Sequence, residues 1–197
     1  MNFKYYDLLS SVIIGFFAIV ALLYAIGNEY DKDLTMAYMA GSYVVGYLIN
    51  ALSSLLVPFW YLTIGGMPSD KLLTIDPKKK YTGIKRVRFY HAQEAIDKLR
   101  KQLNDEKADT KQMFSLAMRE TNGNSSTRVQ DFNAQYAFSR VLLTTLFVIT
   151  IVAIIYDPCC WKSYLIIIPL LISWNRFRER GYYYAKEVLN EYLNLHK

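Results

Sequence analysis

The stretch LLSSVIIGFFAIVALLYAI, residues 8–26, contains no charged side chain. A helix crossing the hydrocarbon core of a bilayer needs roughly 20 mostly apolar residues, because there its backbone N–H and C=O groups can pair only within the helix. The stretch meets that length, and the rest of the chain is read outward from it. Three further apolar blocks follow. Residues 36–57 are closed by Pro58, although the apolar run continues to Ile64. Residues 141–156 are extended on their N-terminal side by residues 134–139. Residues 158–174 are interrupted by Lys162 and Pro169, so this helix is expected to kink. The predicted fold class is therefore all-α, a polytopic membrane protein with four transmembrane helices and a helical cytoplasmic stalk between spans two and three. Residues 1–64 form the first transmembrane hairpin (spans 8–26 and 36–57) and 65–127 a cytoplasmic helical insert. Residues 128–175 form the second hairpin (spans about 138–156 and 158–174), and 176–197 a cytoplasmic C-terminal helix.

A cleavable signal peptide is the alternative reading of the first block, with Ala25 and Gly27 as a weak small-x-small site. The apolar region is longer than the roughly 7–15 residues of a signal sequence, and its start carries Asp7 beside Lys4. Orientation follows from the flanks. The first and third connections hold Glu29, Asp31, Lys32, Asp33, Asp157 and Lys162, an acidic balance. All other Lys and Arg fall at the N-terminus, in residues 65–140 or after Trp174, including Arg176, Arg178 and Arg180. Cytoplasmic segments carry the Lys/Arg excess, which puts both termini in the cytoplasm, in a bacterial inner membrane. Trp60, Trp161, Trp174 and Tyr182 to Tyr184 are expected at the interfaces as an aromatic belt.

Composition agrees with this layout: 53% of the residues are hydrophobic, 20% are charged and the formal net charge is +6. In a membrane protein such an excess faces anionic lipid. Cys159 and Cys160 are the only cysteines and are adjacent, so they form no disulfide framework. With two histidines, neither close to them in sequence, there is no metal site, and no cofactor is implied.

Some 75 residues separate the second and third spans. Gly65-Gly66-Met67-Pro68-Ser69 and Asp76-Pro77 read as turns. Lys78, Lys79, Lys80, Lys85, Arg86 and Arg88 form a dense basic run. It reads either as a loop against membrane lipid or, with its interleaved aromatics, as a nucleic-acid contact. Residues 88–120 read as helix. Phe89, Ala92, Ile96, Leu99 and Leu103 are spaced 3, 4, 3, 4, a heptad seam that lasts about two heptads and lapses between Asn104 and Lys111. The seam packs against another helix of the same insert or self-associates. After a break at residues 122–126, Thr127 and Gln130 make a capping box. Nothing from Arg128 to Tyr156 interrupts the helix that it starts. A last helix follows Trp174, with Ala185, Val188, Leu189 and Tyr192 on one stripe. Residues 124–126 match a glycosylation acceptor that a cytoplasmic position leaves unused.

No phosphate loop or nucleophilic triad is present. Arg86 and His91 form Arg-x4-His, which resembles the active-site motif of HEPN ribonucleases, helical dimers in which the pair supplies acid–base and phosphate-stabilising roles. On that resemblance the two are catalytic candidates; the alternative is a surface Arg and an interfacial His. In the second span Ser42, Gly46 and Asn50 lie four apart on one face, and Ala37 and Gly41 form a second small pair. Small residues let helix backbones approach closely. Gly41, Ser42, Gly46 and Asn50 are read either as intramolecular packing or as the oligomer or pore face. The spans lack an interior Asp, Glu or Arg, apart from Lys162 near one end, which argues against a proton-coupled transporter.

Tyr6-Asp7-Leu8-Leu9, residues 41–47 (GSYVVGY) and the turn at 65–69 (GGMPS) carry a family resemblance. With this layout the chain resembles small polytopic proteins encoded in prokaryotic antiviral defence loci, such as the membrane accessory proteins of RNA-targeting type VI CRISPR systems and the membrane subunit of the Kiwa system. The resemblance implies an inner-membrane homo-oligomer that perturbs the membrane, as a pore or otherwise, or that anchors and signals to a cytosolic nuclease or other defence protein. The expected function is an oligomeric membrane effector or sensor in antiviral defence and not an enzyme. The alternatives are a passive membrane anchor for a cytosolic nucleic-acid-binding enzyme and a membrane-tethered HEPN-like ribonuclease.

Overall fold

The computed structural model describes residues 5–123, 127–159 and 161–197. The chain is mostly helical, 77% against 3% strand. Helices α1 (Tyr5–Ala25), α2 (Thr35–Leu55), α3 (Val57–Thr63) and α4 (Pro68–Leu72) come first. A hairpin of β1 (Thr82–Ile84) and β2 (Val87–Phe89) follows, then α5 (Ala92–Leu103), α6 (Thr110–Gly123), α7 (Thr127–Tyr156), α8 (Trp161–Leu165) and α9 (Ile167–Leu195). They form two compact units, residues 1–59 with 138–176 and residues 60–137 with 177–197, so α7 and α9 each contribute to both.

The first unit is apolar outside. Among the described residues its buried cluster comprises Ile14, Ala18, Ile49 and Val141, with Val45 and Leu142 packed against it, and Leu143, Leu146, Ile149 and Ala153 of α7 are buried as well. Except for Leu62, Met67, Ile75, Tyr90 and Leu195, every exposed large hydrophobic residue among the described ones belongs to this unit. Among the described residues, one helix is both long and apolar enough to cross a membrane, residues 128–156 of α7. Residues 32–55 and α3 pass the same test only together, as a pair bent by 54°, and residues 11–25 form a shorter apolar helix.

Pro58 and Pro169 each mark the end of the helix just upstream. Pro58 is the second residue of α3, and α2 stops at Leu55 because the proline ring collides with the carbonyl four residues earlier, at Ser54. Thus Pro58 bends the apolar segment at residue 56 instead of ending it. The segment at 158–174 is likewise two helices. The break falls at Ile166, and Pro169 sits in the first turn of α9, where its missing N–H costs nothing. Cys160 and the Lys162 side chain lie outside the described residues; Cys159 is free and exposed.

The predicted helix at 88–120 is corrected. Val87–Phe89 is a strand, α5 ends at Leu103, and α6 begins at Thr110. Asn104 closes α5 in the left-handed region (φ 55°), a conformation Asn tolerates better than most residues. The heptad-spaced residues sit in the second unit's own core with Leu72, Met113, Val188, Leu189 and Tyr192. Phe89, Ala92, Ile96 and Leu99 are buried there and Leu103 packs against the cluster, so the seam is intramolecular and presents no free self-association face. The stripe on α9 (Ala185, Val188, Leu189, Tyr192) closes the same core. α7 begins at Thr127 as expected; residues 124–126 and the Thr127 side chain lie outside the described residues.

Trp60 and Tyr182 are also core residues, not members of an exposed belt, whereas Trp161 is exposed. Around them, the Tyr61 and Tyr136 hydroxyls bond at 2.5 Å. Tyr136 stacks on Phe177 and Tyr184, with ring centroids 5.5 and 5.8 Å away. This aromatic layer is why residues 60–64 and 128–137 belong to the second unit.

Candidate interaction surfaces

In the first unit, α1 and α2 pack backbone to backbone. A Cβ built on Gly15 would lie 1.7 Å from the Ser42 carbonyl oxygen, and one on Gly46 would lie 2.0 Å from that of Ser11. The sequence singled out Ser42 and Gly46 but not their partners Ser11 and Gly15, although these also lie four apart. Ser42 and Gly46 are buried against α1, which gives that face to intramolecular packing. Gly41 is different: a Cβ there would meet only the Ile19 Cδ1 methyl, at 3.8 Å.

Asn50 lies exposed on α2, and its side-chain oxygen accepts a hydrogen bond from Arg140 Nη2 at 3.3 Å. Its backbone carbonyl also accepts from the Ser53 and Ser54 hydroxyls, at 2.7 and 3.1 Å. The third span as bounded at 138–156 therefore does hold an ionisable group, Arg140, and its polar partner is Asn50.

In the second unit the basic run is organised by a turn and a hairpin. Asp76 accepts from the Lys78 backbone N–H at 3.1 Å and pairs with Lys79 Nζ at 3.1 Å. These bonds, the backbone one foremost, hold its carboxyl below the usual carboxylate range. Strands β1 and β2 are antiparallel, with Thr82 opposite Phe89, Gly83 opposite Arg88, and Ile84 opposite Val87. Alternation sends Thr82, Val87 and Phe89 inward. The Thr82 hydroxyl donates to the Leu72 carbonyl at 2.8 Å, tying the hairpin to α4. Gly83 has φ +100°, and a Cβ there would sit 2.4 Å from the Val87 oxygen, so only glycine fits.

Arg88 and Tyr90 are exposed and Tyr81 half-buried. The Arg88 guanidinium lies 4.9 Å from the Tyr81 ring centroid and its Nε donates to the Lys85 carbonyl at 3.2 Å. Tyr81 and Tyr90 meet edge to face at 6.0 Å. Tyr90 first, then Tyr81, pushes the Arg88 pKa above its ordinary value. The arrangement is a cation lying over the Tyr81 ring and beside Tyr90, flanked by exposed Lys78, Lys79, Lys80 and Lys85. Such a surface can stack a planar π system and neutralise phosphates together.

Arg86 and His91 are not set together on a helix. Arg86 occupies the hairpin turn and its guanidinium pairs with the buried carboxylate of Glu179 on α9. His91 is the exposed residue preceding α5, 3.6 Å from Glu94 and edge-on to Phe89. Arg86 thus fastens the hairpin to α9, which gives it a structural role. Lys71 Nζ donates to the Ile64 carbonyl at 2.9 Å, capping the end of α3 where Gly65 and Gly66 turn the chain with φ of +79° and +115°. Burial, then Arg178, pushes the Lys71 pKa down.

Among the described residues no group of three His, Cys, Asp or Glu could hold a metal. No family model, curated protein or solved structure matches the chain.

Proposed function

We propose that the chain is a polytopic membrane protein of the defence-locus type. Its apolar segments fix it in the inner membrane, and its second unit, in the cytosol, acts as a docking subunit for an RNA-bearing partner such as a nuclease. The observation that carries this reading is the ordered Tyr81–Arg88–Tyr90 face with lysines around it. Stacking on aromatics contributes about 1–3 kcal/mol per base, and the lysines add a salt-dependent phosphate term. The exposed apolar exterior of the first unit supports membrane residence, because a soluble protein rarely presents such continuous apolar surface. The sequence-based orientation puts residues 65–127 in the cytosol.

The test uses the full chain in nanodiscs and a fluorescent single-stranded RNA, followed by anisotropy at several salt concentrations. Arg88→Ala and Tyr90→Ala should each weaken binding by about tenfold, within the range of one lost stacking contact. Reversing Lys78, Lys79 and Lys80 to Glu should release the RNA while leaving insertion intact. RNA affinity unchanged by all three alterations would contradict the proposal. An affinity for anionic nanodiscs that alone responds to them would assign the face to lipid.

A second reading, an oligomeric pore, is favoured by one observation. The Asn50–Arg140 pair is polar, with Asn50 exposed and Arg140 half-buried on an apolar unit, where contact with hydrocarbon is costly. Contact with another copy would cover it. Light scattering in detergent, corrected for the detergent, should then give a discrete oligomer of four or more subunits, and Asn50→Leu should abolish ion leakage without abolishing assembly. A monomer would exclude this reading.

A further inference from the structure

The first unit holds an open cavity of about 530 Å³ at the C-terminal end of α1, lined by the exposed Tyr24, Tyr30 and Tyr156, by apolar residues including Ile166, and by Glu29 and Asp157. Among the described residues that line it, none is Lys, Arg or His. We infer that this cavity binds the ammonium group of an organic cation, a quaternary or primary amine carried by a small molecule or by a lipid headgroup.

Three independent features agree. The rings come first. Tyr30 is held in place by its hydroxyl bond to Thr35 Oγ1 at 2.6 Å and by ring contacts to Tyr38 and Phe16 at 5.4 and 6.3 Å. The Tyr156 ring lies against Gly27, 3.7 Å from where a Cβ would stand. Gly27 takes φ +76° to end α1, with Gly27 N–H donating to the Tyr24 carbonyl at 3.1 Å and Asn28 N–H to that of Leu23 at 2.9 Å. Tyrosine faces attract cations through their quadrupole and give no such preference to a neutral group of the same shape.

The carboxylates come second. Glu29 and Asp157 are exposed at its edge and have no side-chain hydrogen bond or ion pair among the described residues, so both carboxylates can turn to a bound cation. Finally, the helix ends add to the same sign. α1 finishes at Ala25 and α7 at Tyr156, both in the cavity wall, and a helix C-terminus bears the negative end of the macrodipole. These features disfavour an anion. A compact hydrated metal ion is poorly served, since the wall is chiefly ring and apolar surface. An alkylated ammonium, weakly hydrated and bulky, matches both the rings and the charge. On the sequence-based orientation the cavity faces the outside of the cell, but the inference holds whichever partner the hairpin takes.

The experiment titrates choline chloride into the full chain in maltoside micelles by isothermal calorimetry. The control is 3,3-dimethylbutan-1-ol, the uncharged carbon isostere of choline. Choline should bind with a dissociation constant of about 1 mM or tighter, and the isostere about tenfold more weakly. Asp157→Asn and Tyr156→Leu should each weaken choline by about fivefold to tenfold while leaving the isostere and the circular dichroism spectrum unchanged. Tyr43→Leu, at an exposed position on α2 outside the cavity, should leave choline binding as it is. Repeating the titration in nanodiscs identifies the source. Weaker choline binding in phosphatidylcholine than in phosphatidylglycerol discs assigns the site to a lipid headgroup, and equal binding assigns it to a free cation. Equal binding of choline and its isostere, or choline binding untouched by Asp157→Asn, would overturn the inference.

Discussion

Alanine at Gly46 and alanine at Gly41 should shift stability in opposite directions, although both glycines occupy small-residue positions on α2. Replacing a helical glycine with alanine contributes about 0.8–1 kcal/mol of intrinsic helix preference at either site. At Gly41 the new methyl meets only a side-chain tip 3.8 Å away, so that gain should be kept. At Gly46 it would stand 2.0 Å from the Ser11 carbonyl oxygen, where about 3 Å is the least a real contact allows. The two backbones must therefore part by about 1 Å, a gap that forfeits a quarter to a half of each dispersion contact along the crossing. Overpacking a tight site costs about 1–3 kcal/mol, and a clash with rigid backbone belongs at the upper end. Subtracting the helix gain leaves about 2 kcal/mol of net destabilisation, or roughly thirtyfold in the unfolding equilibrium. The assay is reversible unfolding in mixed maltoside and dodecyl sulfate micelles, followed by far-ultraviolet circular dichroism. Gly46→Ala should unfold at lower dodecyl sulfate fraction than the parent, and Gly41→Ala at an equal or higher one. Equal midpoints for the two variants would refute the α1–α2 crossing.

Leu99→Ala removes a fully buried side chain from the second unit's core and should cost about 2–5 kcal/mol in thermal unfolding while leaving insertion into membranes intact. Arg86→Ala should destabilise the same unit by about 1–2 kcal/mol, because the buried Glu179 carboxylate loses a charged partner, whereas His91→Ala at an exposed site should stay within about 0.5 kcal/mol. A catalytic pair predicts instead that both substitutions leave stability alone and abolish RNA cleavage. Asp76 should titrate by carbon-detected NMR below 3.8, and Lys79→Ala should raise the midpoint. Its folded-state value is depressed, so its contribution to loop order is present above the unfolded carboxylate value and is lost as pH falls through the folded one.

Long-range features of the sequence and short-range ones were unequally informative. The uninterrupted run from residue 128 to 156 needed only composition and the absence of glycine and proline, and α7 follows it. The stripe on α9 and the residues spaced as a heptad were visible because core-facing positions must recur at the helical period. The same spacing misled at Phe89. A strand of three residues is too short to establish an alternating pattern, and Phe89 happens to fall four turns of phase from Leu103 in a helix count. The signal available was the alternation Thr82, Ile84 and Val87, Phe89 around Lys85-Arg86, with Gly83 opposite Arg88. The small-residue face on α2 was legible, but its partner was not, because Ser11 and Gly15 become meaningful only once α1 is laid against it. The Tyr81–Arg88–Tyr90 face and the Arg86–Glu179 pair depend on hairpin register and on residues 93 positions apart, which no local pattern encodes.

In the proposed arrangement the apolar segments cross a membrane and leave the second unit in the cytosol. Cysteine accessibility tests it most directly, using variants that lack Cys159 and Cys160 and carry a single new cysteine at Asn28, Lys79 or Lys197. A membrane-impermeant maleimide applied to intact spheroplasts should label the Asn28→Cys protein at once, and the Lys79→Cys and Lys197→Cys proteins only after lysis. Labelling of Lys79→Cys in intact spheroplasts, or extraction of the chain by alkaline carbonate as a soluble protein, would contradict the account.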